Sequence, residues 1–271
     1  MWIRNPRRTE RRRAKGSLCP RPTSDGLVIL SATVTPNGDF GIAEFDPERR
    51  REQYRGAIAF WILALRGTPF RLAVVETSGE PAGALGLSHE RDVTGTADFY
   101  AFVPDRAVVA RGKGAIEAAA IEYVIDLCRG SLSDSATLYK CTGRLKLINY
   151  RACLGVLDPG AVCARMTIDR SYADTRLIGA SIDVWRDSLR GMAEEVDDAN
   201  GVFLEHVVAS RIARGVALRR VTLTRFAERP IFEGSSGTSG SRYSPRREEA
   251  VNATLGRLEE MLSRFAARKQ V

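Results

Sequence analysis

Residues 26–33 read Gly26-Leu27-Val28-Ile29-Leu30-Ser31-Ala32-Thr33, and this run carries the strongest indication of the fold class. It is a short apolar stretch without polar alternation, which is typical of a strand buried on both faces of a sheet. The turn signal Thr35-Pro36-Asn37-Gly38 ends it. Two later runs of the same kind, Arg71 to Glu76 and Leu138 to Cys141, predict two further buried strands.

Helical patterns lie between these strands. Asp46-Pro47 offers an N-cap and a proline at the first helical position, and apolar residues recur at helical spacing until Gly67. A second helix, rich in Ala and Ile, is predicted over Ala115 to Cys128. This alternation, with connections long enough for right-handed crossovers, predicts an α/β fold with an open, mainly parallel, Rossmann-like sheet and helices on both faces.

The rest of the chain completes a single predicted α/β domain over residues 25–232. Apolar runs predict further elements in it: strands over Leu177 to Trp185 and Val221 to Phe226, and a helix over Phe203 to Ile212. Residues 233–245 are predicted to form a Gly/Ser loop, and residues 246–271 a C-terminal amphipathic helix. The narrow apolar stripe of that helix favours docking on the domain, with pairing to a second chain through residues 246–268 as the alternative.

The net charge of +8 is concentrated in the first 24 residues. That segment has eight basic residues and one acidic residue, whereas residues 25–271 carry 33 basic and 32 acidic residues. The basic segment is predicted to be a disordered tail, with contact to anionic lipid or nucleic acid as the alternative. The nearly neutral remainder argues against an extended nucleic-acid surface.

Several classes of protein are excluded or disfavoured by absent patterns. No apolar stretch reaches the roughly 18 to 20 residues of a membrane span, and the first thirty residues lack a signal peptide's apolar segment, so we expect a soluble cytoplasmic protein. The five cysteines include no C-x-x-C pair, which disfavours a disulfide framework or a zinc site. The motifs H-E-x-x-H and G-x-S-x-G are also absent, which excludes the common hydrolases that carry them.

Polar segments follow three of the predicted strands. They are Thr33 to Asn37, Glu76 to Gly79 and Thr142 to Arg144. Ligands of open α/β sheets bind outside the carboxyl ends of the strands, so these segments predict a crevice for a polar ligand. Glu76 could accept hydrogen bonds from a base or ribose there, or it could cap a turn.

Three groups of residues are candidates for chemistry. Arg111-Gly112-Lys113-Gly114 precedes a predicted helix and combines cations, permissive backbone and a helix N-terminus, which together bind phosphate; a flexible basic turn is the alternative. Thr142-Gly143-Arg144 adds a hydroxyl and a guanidinium fork suited to phosphate oxygens, unless it is a turn without function. Glu205 and His206, adjacent on a helix, could supply a general base or form a surface pair.

Taken in order, these motifs resemble those of bacterial GT-A-type glycosyltransferases, small nucleotide-sugar-dependent enzymes found with genes for surface polysaccharide. The resemblance covers roughly residues 27–243. It rests on the order of Leu27 to Thr33, Asp46 to Tyr54, Val75 to Gly79, Gly112 to Gly114 with Glu117, Lys140 to Arg144 with Asn149, Phe203 to His206, and Gly234 to Gly240 with Tyr243.

The resemblance implies roles for the candidate residues. Thr33 and Glu76, with Ser78 beside them, would face the nucleoside, and Lys113 would meet the diphosphate. Thr142-Gly143-Arg144 would occupy the place where many such enzymes keep an Asp-x-Asp metal motif. The sequence has no Asp-x-Asp, which leaves dependence on manganese or magnesium open. Lys113 and Arg144 could neutralise the leaving diphosphate instead.

The implied activity is transfer of a sugar from a nucleotide-sugar donor to an acceptor hydroxyl of a glycan or glycolipid. Glu205 is the predicted base for that hydroxyl, and His206 is its rival. Residues 1–24 could touch the inner face of an anionic membrane. Two other classes stay open: a nucleotidyltransferase of related fold, which would need metal-binding carboxylates that we do not find, and a non-enzymatic lipid- or RNA-binding protein that uses the basic tail.

Overall fold

A computed structural model of the chain describes residues 24–36, 42–87, 97–237 and 240–245. The basic tail up to residue 23 and the predicted C-terminal helix at 246–271 lie outside the described residues. Within the described part of the chain, no helix has both the length and the hydropathy needed to cross a membrane.

The described strands form two sheets. In chain order they are β1 Ser24–Ala32, β2 Phe70–Glu76, β3 Ala97–Ala101, β4 Leu132–Thr142, β5 Leu145–Leu147, β6 Ala161–Cys163, β7 Leu177–Ser181, β8 Thr222–Thr224, β9 Phe232–Ser235 and β10 Arg242–Tyr243. The larger sheet has the order β3-β2-β1-β4-β7-β6-β8, and the smaller one the order β10-β9-β5. Strands β3, β2, β1 and β4 are parallel, whereas β7 is antiparallel to both β4 and β6. The predicted α/β fold with an open, mainly parallel sheet is therefore confirmed.

The helices cover both faces of the larger sheet. They are α1 Pro47–Ala64, α2 Arg106–Arg111, α3 Lys113–Cys128, α4 Tyr150–Cys153, α5 Ile182–Asp187, α6 Met192–Glu195 and α7 Leu204–Ala217. Helix α1 begins as its sequence predicts, because the Asp46 side chain accepts a hydrogen bond from the Glu48 N–H and Pro47 takes the first position.

Strand β1 supplies side chains to two separate hydrophobic clusters. Leu27 and Ile29 belong to the cluster that includes α3, α5, α6 and α7, whereas Val28 and Leu30 belong to the one that includes α1. All four side chains are fully buried. Since successive residues of a strand point to opposite faces, helices on both faces require the unbroken apolar run that this strand shows.

Several segments differ from their prediction. The apolar run over residues 177–185 forms a strand only up to Ser181, after which α5 begins. The predicted Gly/Ser loop at 233–245 includes most of β9 and all of β10. Strands β3, β5 and β6 were not predicted. A short apolar run does not by itself distinguish a strand from a buried helix, which explains the first difference.

Candidate active site

The carboxyl ends of β1, β2 and β4 meet at one edge of the larger sheet. Ala32 lies opposite Glu76, and Ser31 lies opposite Thr142. The beginning of the antiparallel strand β7 reaches the same edge, where the Thr142 N–H donates to the Arg176 carbonyl at 3.0 Å. We call this edge, together with the first turns of α3 and α7 that adjoin it, the crevice.

Helix α1 fixes the backbone after β1. The Thr33 N–H donates to the Tyr54 hydroxyl at 3.0 Å, and the Arg50 side chain donates to the Thr33 carbonyl, with Nε at 2.8 Å. The Thr33 hydroxyl lies 2.6 Å from that of Thr77, in the segment that follows β2. Thr33 is therefore at the crevice, as predicted, in a rigid setting. Buried Arg50 carries no sequence signal that separates it from the other arginines of α1.

Glu76 has its carboxylate taken up by the protein. It is fully buried and accepts from the N–H groups of Ser78 and Glu80, each at 2.9 Å, and of Val34 at 3.2 Å. The Ser78 hydroxyl also donates to Glu76, and it accepts from the N–H groups of Val34 and Thr35. Glu76 is thus the turn cap of the two alternatives. The expectation that Glu76 and Ser78 face a nucleoside is corrected: they join the loops after β1 and β2.

The N-terminus of α3 is capped by a carboxylate of the protein. The Gly114 N–H donates to Oδ2 of Asp198 at 2.9 Å, and Asp198 is buried. Gly112 has a φ of 104°, and a Cβ atom there would lie 2.5 Å from the same oxygen, so only glycine permits this packing. Burial raises the pKa of Asp198, and Gly114 and Lys113 partly offset this effect. The Gly114 N–H, one of the groups predicted to bind phosphate at the start of this helix, therefore already has Asp198 as its partner.

Lys113 extends an exposed side chain from the same turn. Although Lys113 is exposed, its side chain is partly shielded from water by the neighbouring protein groups, and this shielding lowers its pKa. The charge of Arg144 acts in the same direction. The carboxylates of Asp198, Glu117 and Glu205 oppose this shift. Accessible Lys113 thus interacts with the charges of Arg144 and of three carboxylates at the crevice.

Lys140 joins the strand ends through a buried ammonium group. Its Nζ lies 3.0 Å from Oε1 of Glu117 and donates to the Thr175 carbonyl, and its side chain is 1% exposed. The Ser31 hydroxyl donates to the same Glu117 oxygen. Burial alone would raise the pKa of Glu117, but Lys140 and Ser31 hold it below its ordinary value. The sequence indicated Lys140 only as the first residue of the motif Lys140 to Arg144, and its partners Glu117 and Thr175 come from other parts of the chain.

Glu205 is linked to Lys140 through Thr175, and we call these residues with Glu117 the crevice network. His206, in contrast, packs among aromatic rings. The Thr175 hydroxyl donates to Oε1 of Glu205 at 2.8 Å. The His206 ring lies 5.7 Å from the Tyr172 ring and 5.5 Å from the Phe203 ring, and its Nδ1 accepts from the Phe203 N–H at 3.4 Å. Of the two candidate bases, only Glu205 is hydrogen-bonded into the crevice network.

Arg144 is buried on the α1 side of the crevice. Its Nη1 donates to Gln53 at 3.1 Å, and its guanidinium lies 5.8 Å from the centre of the Tyr54 ring. Burial lowers its pKa. A Cβ atom on Gly237 would lie 2.4 Å from Nη2 of Arg144, so this loop residue covers it closely. Lys113 and Arg144 thus interact electrostatically but differ in their access to solvent, since Lys113 is exposed and Arg144 is buried.

No group of three or more His, Cys, Asp or Glu side chains in the described ranges could hold a metal ion. The acidic residues nearest the crevice have protein partners: Glu117 binds Lys140, Asp198 binds the Gly114 N–H and Glu205 binds Thr175. These residues do not present a ready set of oxygen ligands for manganese or magnesium.

No protein-family model and no curated protein sequence matches this chain. Solved structures of similar fold include the galactosyltransferase LgtC in complex with donor and acceptor sugar analogues, with 9% identity, a TM-score of 0.41 and coverage of 67% of this chain and 69% of LgtC. A protein from Desulfovibrio desulfuricans described as a nucleotide-diphospho-sugar transferase has 12% identity and a TM-score of 0.43, over 75% of this chain and 80% of its own.

The inositol-1-phosphate CTP transferase from T. maritima has 11% identity and a TM-score of 0.44, over 81% of this chain and 92% of its own. Identities of this size and TM-scores below 0.5 do not assign any of these activities to this chain.

Proposed function

We propose that this protein transfers a sugar from a nucleotide-sugar donor to an acceptor hydroxyl of a glycan or glycolipid. The observation that carries the proposal is the crevice itself. Accessible Lys113 interacts electrostatically with both buried Arg144 and the Glu205 carboxylate. These groups adjoin the carboxyl ends of parallel strands, where open α/β sheets bind their ligands.

The reaction assigns a task to each of these groups. Glu205 takes the proton of the acceptor hydroxyl, whose oxygen attacks the anomeric carbon of the donor sugar. The bond from that carbon to the phosphate oxygen breaks, and its electron pair stays on the leaving phosphate. Lys113 and Arg144 stabilise this negative charge. Thr33, Thr142 and Gly143 line the donor side.

The first experiment finds the donor. A thermal-shift panel of UDP-, GDP-, CMP- and dTDP-sugars, with and without manganese, is expected to show one nucleotide class that raises the melting temperature, because a ligand of the folded state stabilises it. The same panel reports whether metal is required. Release of pyrophosphate from a nucleoside triphosphate, without sugar-nucleotide hydrolysis, would favour the nucleotidyltransferase instead.

The second experiment tests the two cations. A charged hydrogen bond to phosphate contributes roughly 1.5 to 3 kcal/mol, so Lys113→Ala and Arg144→Ala should each weaken binding of the nucleotide product about tenfold or more in calorimetric titration. Arg144→Lys should also be impaired, because lysine lacks the guanidinium fork. Lys146→Ala is the matched control, since Lys146 lies on β5 and pairs with Glu233 at 2.8 Å. Unchanged affinity in both alanine variants, with the fold intact, would remove the support for this site.

A further inference from the structure

A row of three rings lies beside Glu205. Tyr172, His206 and Phe203 follow one another with ring centres 5.7 and 5.5 Å apart. Tyr172, at one end of the row, is 42% exposed, and its hydroxyl interacts electrostatically with Glu205. The row therefore combines an accessible aromatic ring with the carboxylate to which we assign the base.

The position of Tyr172 is fixed by backbone hydrogen bonds. The Thr167 N–H donates to the Tyr172 carbonyl at 2.9 Å, and the Tyr172 N–H donates to the Thr167 hydroxyl at 3.1 Å. The next residue, Ala173, donates its N–H to the carbonyl of Glu205 at 3.1 Å. The tyrosine and the glutamate are thus held at a set distance by direct contact between their chain segments, which a substrate platform requires.

The surroundings of Tyr172 combine apolar and polar groups. Burial and the neighbouring Glu205 raise its pKa to about 12, so the hydroxyl keeps its proton at neutral pH and can donate a hydrogen bond. The charges of Asp174 and Arg176 also act on it. A ring face beside hydrogen-bonding groups complements a pyranose, which has a face of C–H groups and an edge of hydroxyls.

We propose that Tyr172, supported by His206 and Phe203, is the platform on which the acceptor sugar stacks. The acceptor is then a saccharide that places a C–H face on the Tyr172 ring and a hydroxyl towards Glu205. This inference rests on the proposed function and names its acceptor class. It also gives His206 a supporting role in the platform in place of the role of a base.

The test uses sugars without any donor. Saturation-transfer-difference NMR is carried out with the methyl glycosides of glucose, galactose, mannose and N-acetylglucosamine. We expect saturation transfer from the protein to the ring protons of at least one of these glycosides. Tyr172→Ala and Tyr172→Leu should lower that transfer about fivefold, because an aromatic contact is lost. Tyr172→Phe should keep most of it. Tyr123→Ala is the matched control. Tyr123 lies on α3, is 37% exposed, and its ring centre is 5.3 Å from that of Phe102.

The outcomes separate the platform from the donor site. Absence of transfer from all four glycosides, full transfer in Tyr172→Ala, or an equal loss in Tyr123→Ala would overturn the platform. In parallel, Tyr172→Ala should bind the nucleotide product with unchanged affinity, and Lys113→Ala should keep the glycoside signal. Nucleotide binding without glycoside binding would overturn the platform alone, whereas glycoside binding without nucleotide binding would overturn the donor site.

Discussion

Gly143 directly follows β4 and lies against the end of β1. A Cβ atom there would lie 2.1 Å from the Ser31 carbonyl oxygen, which belongs to a backbone that cannot move aside locally. We predict that Gly143→Ala lowers the free energy of unfolding by about 2 to 3 kcal/mol and weakens nucleotide binding, because the strand ends must separate. Urea denaturation and nucleotide titration measure the two effects.

Gly56 supplies the control for that substitution. It lies inside α1, and a Cβ atom there would meet nothing within 4 Å. Gly56→Ala should raise the free energy of unfolding by about 0.5 to 1 kcal/mol, because alanine is the better helix former. If both variants changed stability alike, the close approach at Gly143 would not be the cause.

Single residues also show how far the sequence can predict the site. Thr33 follows β1 and Thr142 ends β4, and both reach the crevice because the carboxyl ends of parallel strands meet at one edge. For Glu76 the sequence left two roles open, a ligand contact and a turn cap, and could not decide between them, since one of its hydrogen bonds comes from Val34, in the segment after another strand. Asp198 was missed for the same reason: it caps a helix that lies more than eighty residues earlier in the chain.

At the scale of elements, the Lys140–Glu117 pair joins β4 to α3. The Lys140 side chain is 1% exposed and that of Glu117 is 25% exposed. Glu117→Leu leaves the buried ammonium group without its partner and should cost about 3 to 5 kcal/mol of unfolding free energy, whereas Lys140→Met should cost less, because the remaining Glu117 carboxylate reaches solvent. The double variant should cost much less than the sum of the two, because no unpaired charge remains. A double-mutant cycle by urea denaturation measures this coupling, and additive losses would show that the pair does not act as a unit.

The ion pairs of Asp174, in the segment before β7, should make the free energy of unfolding sensitive to acid. Burial alone would raise the pKa of Asp174, but hydrogen bonds and charge from Arg176, with the charge of Arg165, hold it below its ordinary value of 3.8. The resulting stabilisation is present above that value and is lost as the pH falls through the lower pKa of the folded state. Asp174→Asn should therefore lose less stability than the wild type between about pH 7 and pH 3. Asp134→Asn, at an exposed position of β4, should follow the wild-type profile.

Local patterns predicted the elements that are decided locally. Strands β1, β2 and β4 and helices α1 and α3 were predicted from apolar runs, helical spacing and a cap. The division of residues 177–187 into β7 and α5 was not, because the apolar run suits either element and the choice depends on pairing with β4. The short strand β9 forms by pairing with β5, which also lies far away in the sequence.

At the scale of the whole molecule, one tryptophan reports on each face of the sheet. The Trp61 N–H donates to the Leu145 carbonyl and the Trp185 N–H to the Leu138 carbonyl, both at 3.0 Å. The two rings belong to different hydrophobic clusters that share the strands between them. We predict that Trp61→Phe and Trp185→Phe, each in a Trp2→Phe background, unfold in urea with a single fluorescence transition that coincides with the loss of circular dichroism. Separate midpoints for fluorescence and dichroism in either variant would mean that the two faces unfold independently.

The central place of β1 has a consequence for how the protein is made. Its residue Gly26 pairs with Phe70 of β2 on one side and with Thr137 of β4 on the other. During synthesis, β1 therefore cannot pair with β4 until more than a hundred further residues have left the ribosome. Contacts of such long sequence separation form slowly, and an unpaired apolar strand readily associates with other chains. Until β4 has been synthesised, β1 is therefore a segment of the nascent chain that we expect to need protection from association with other chains.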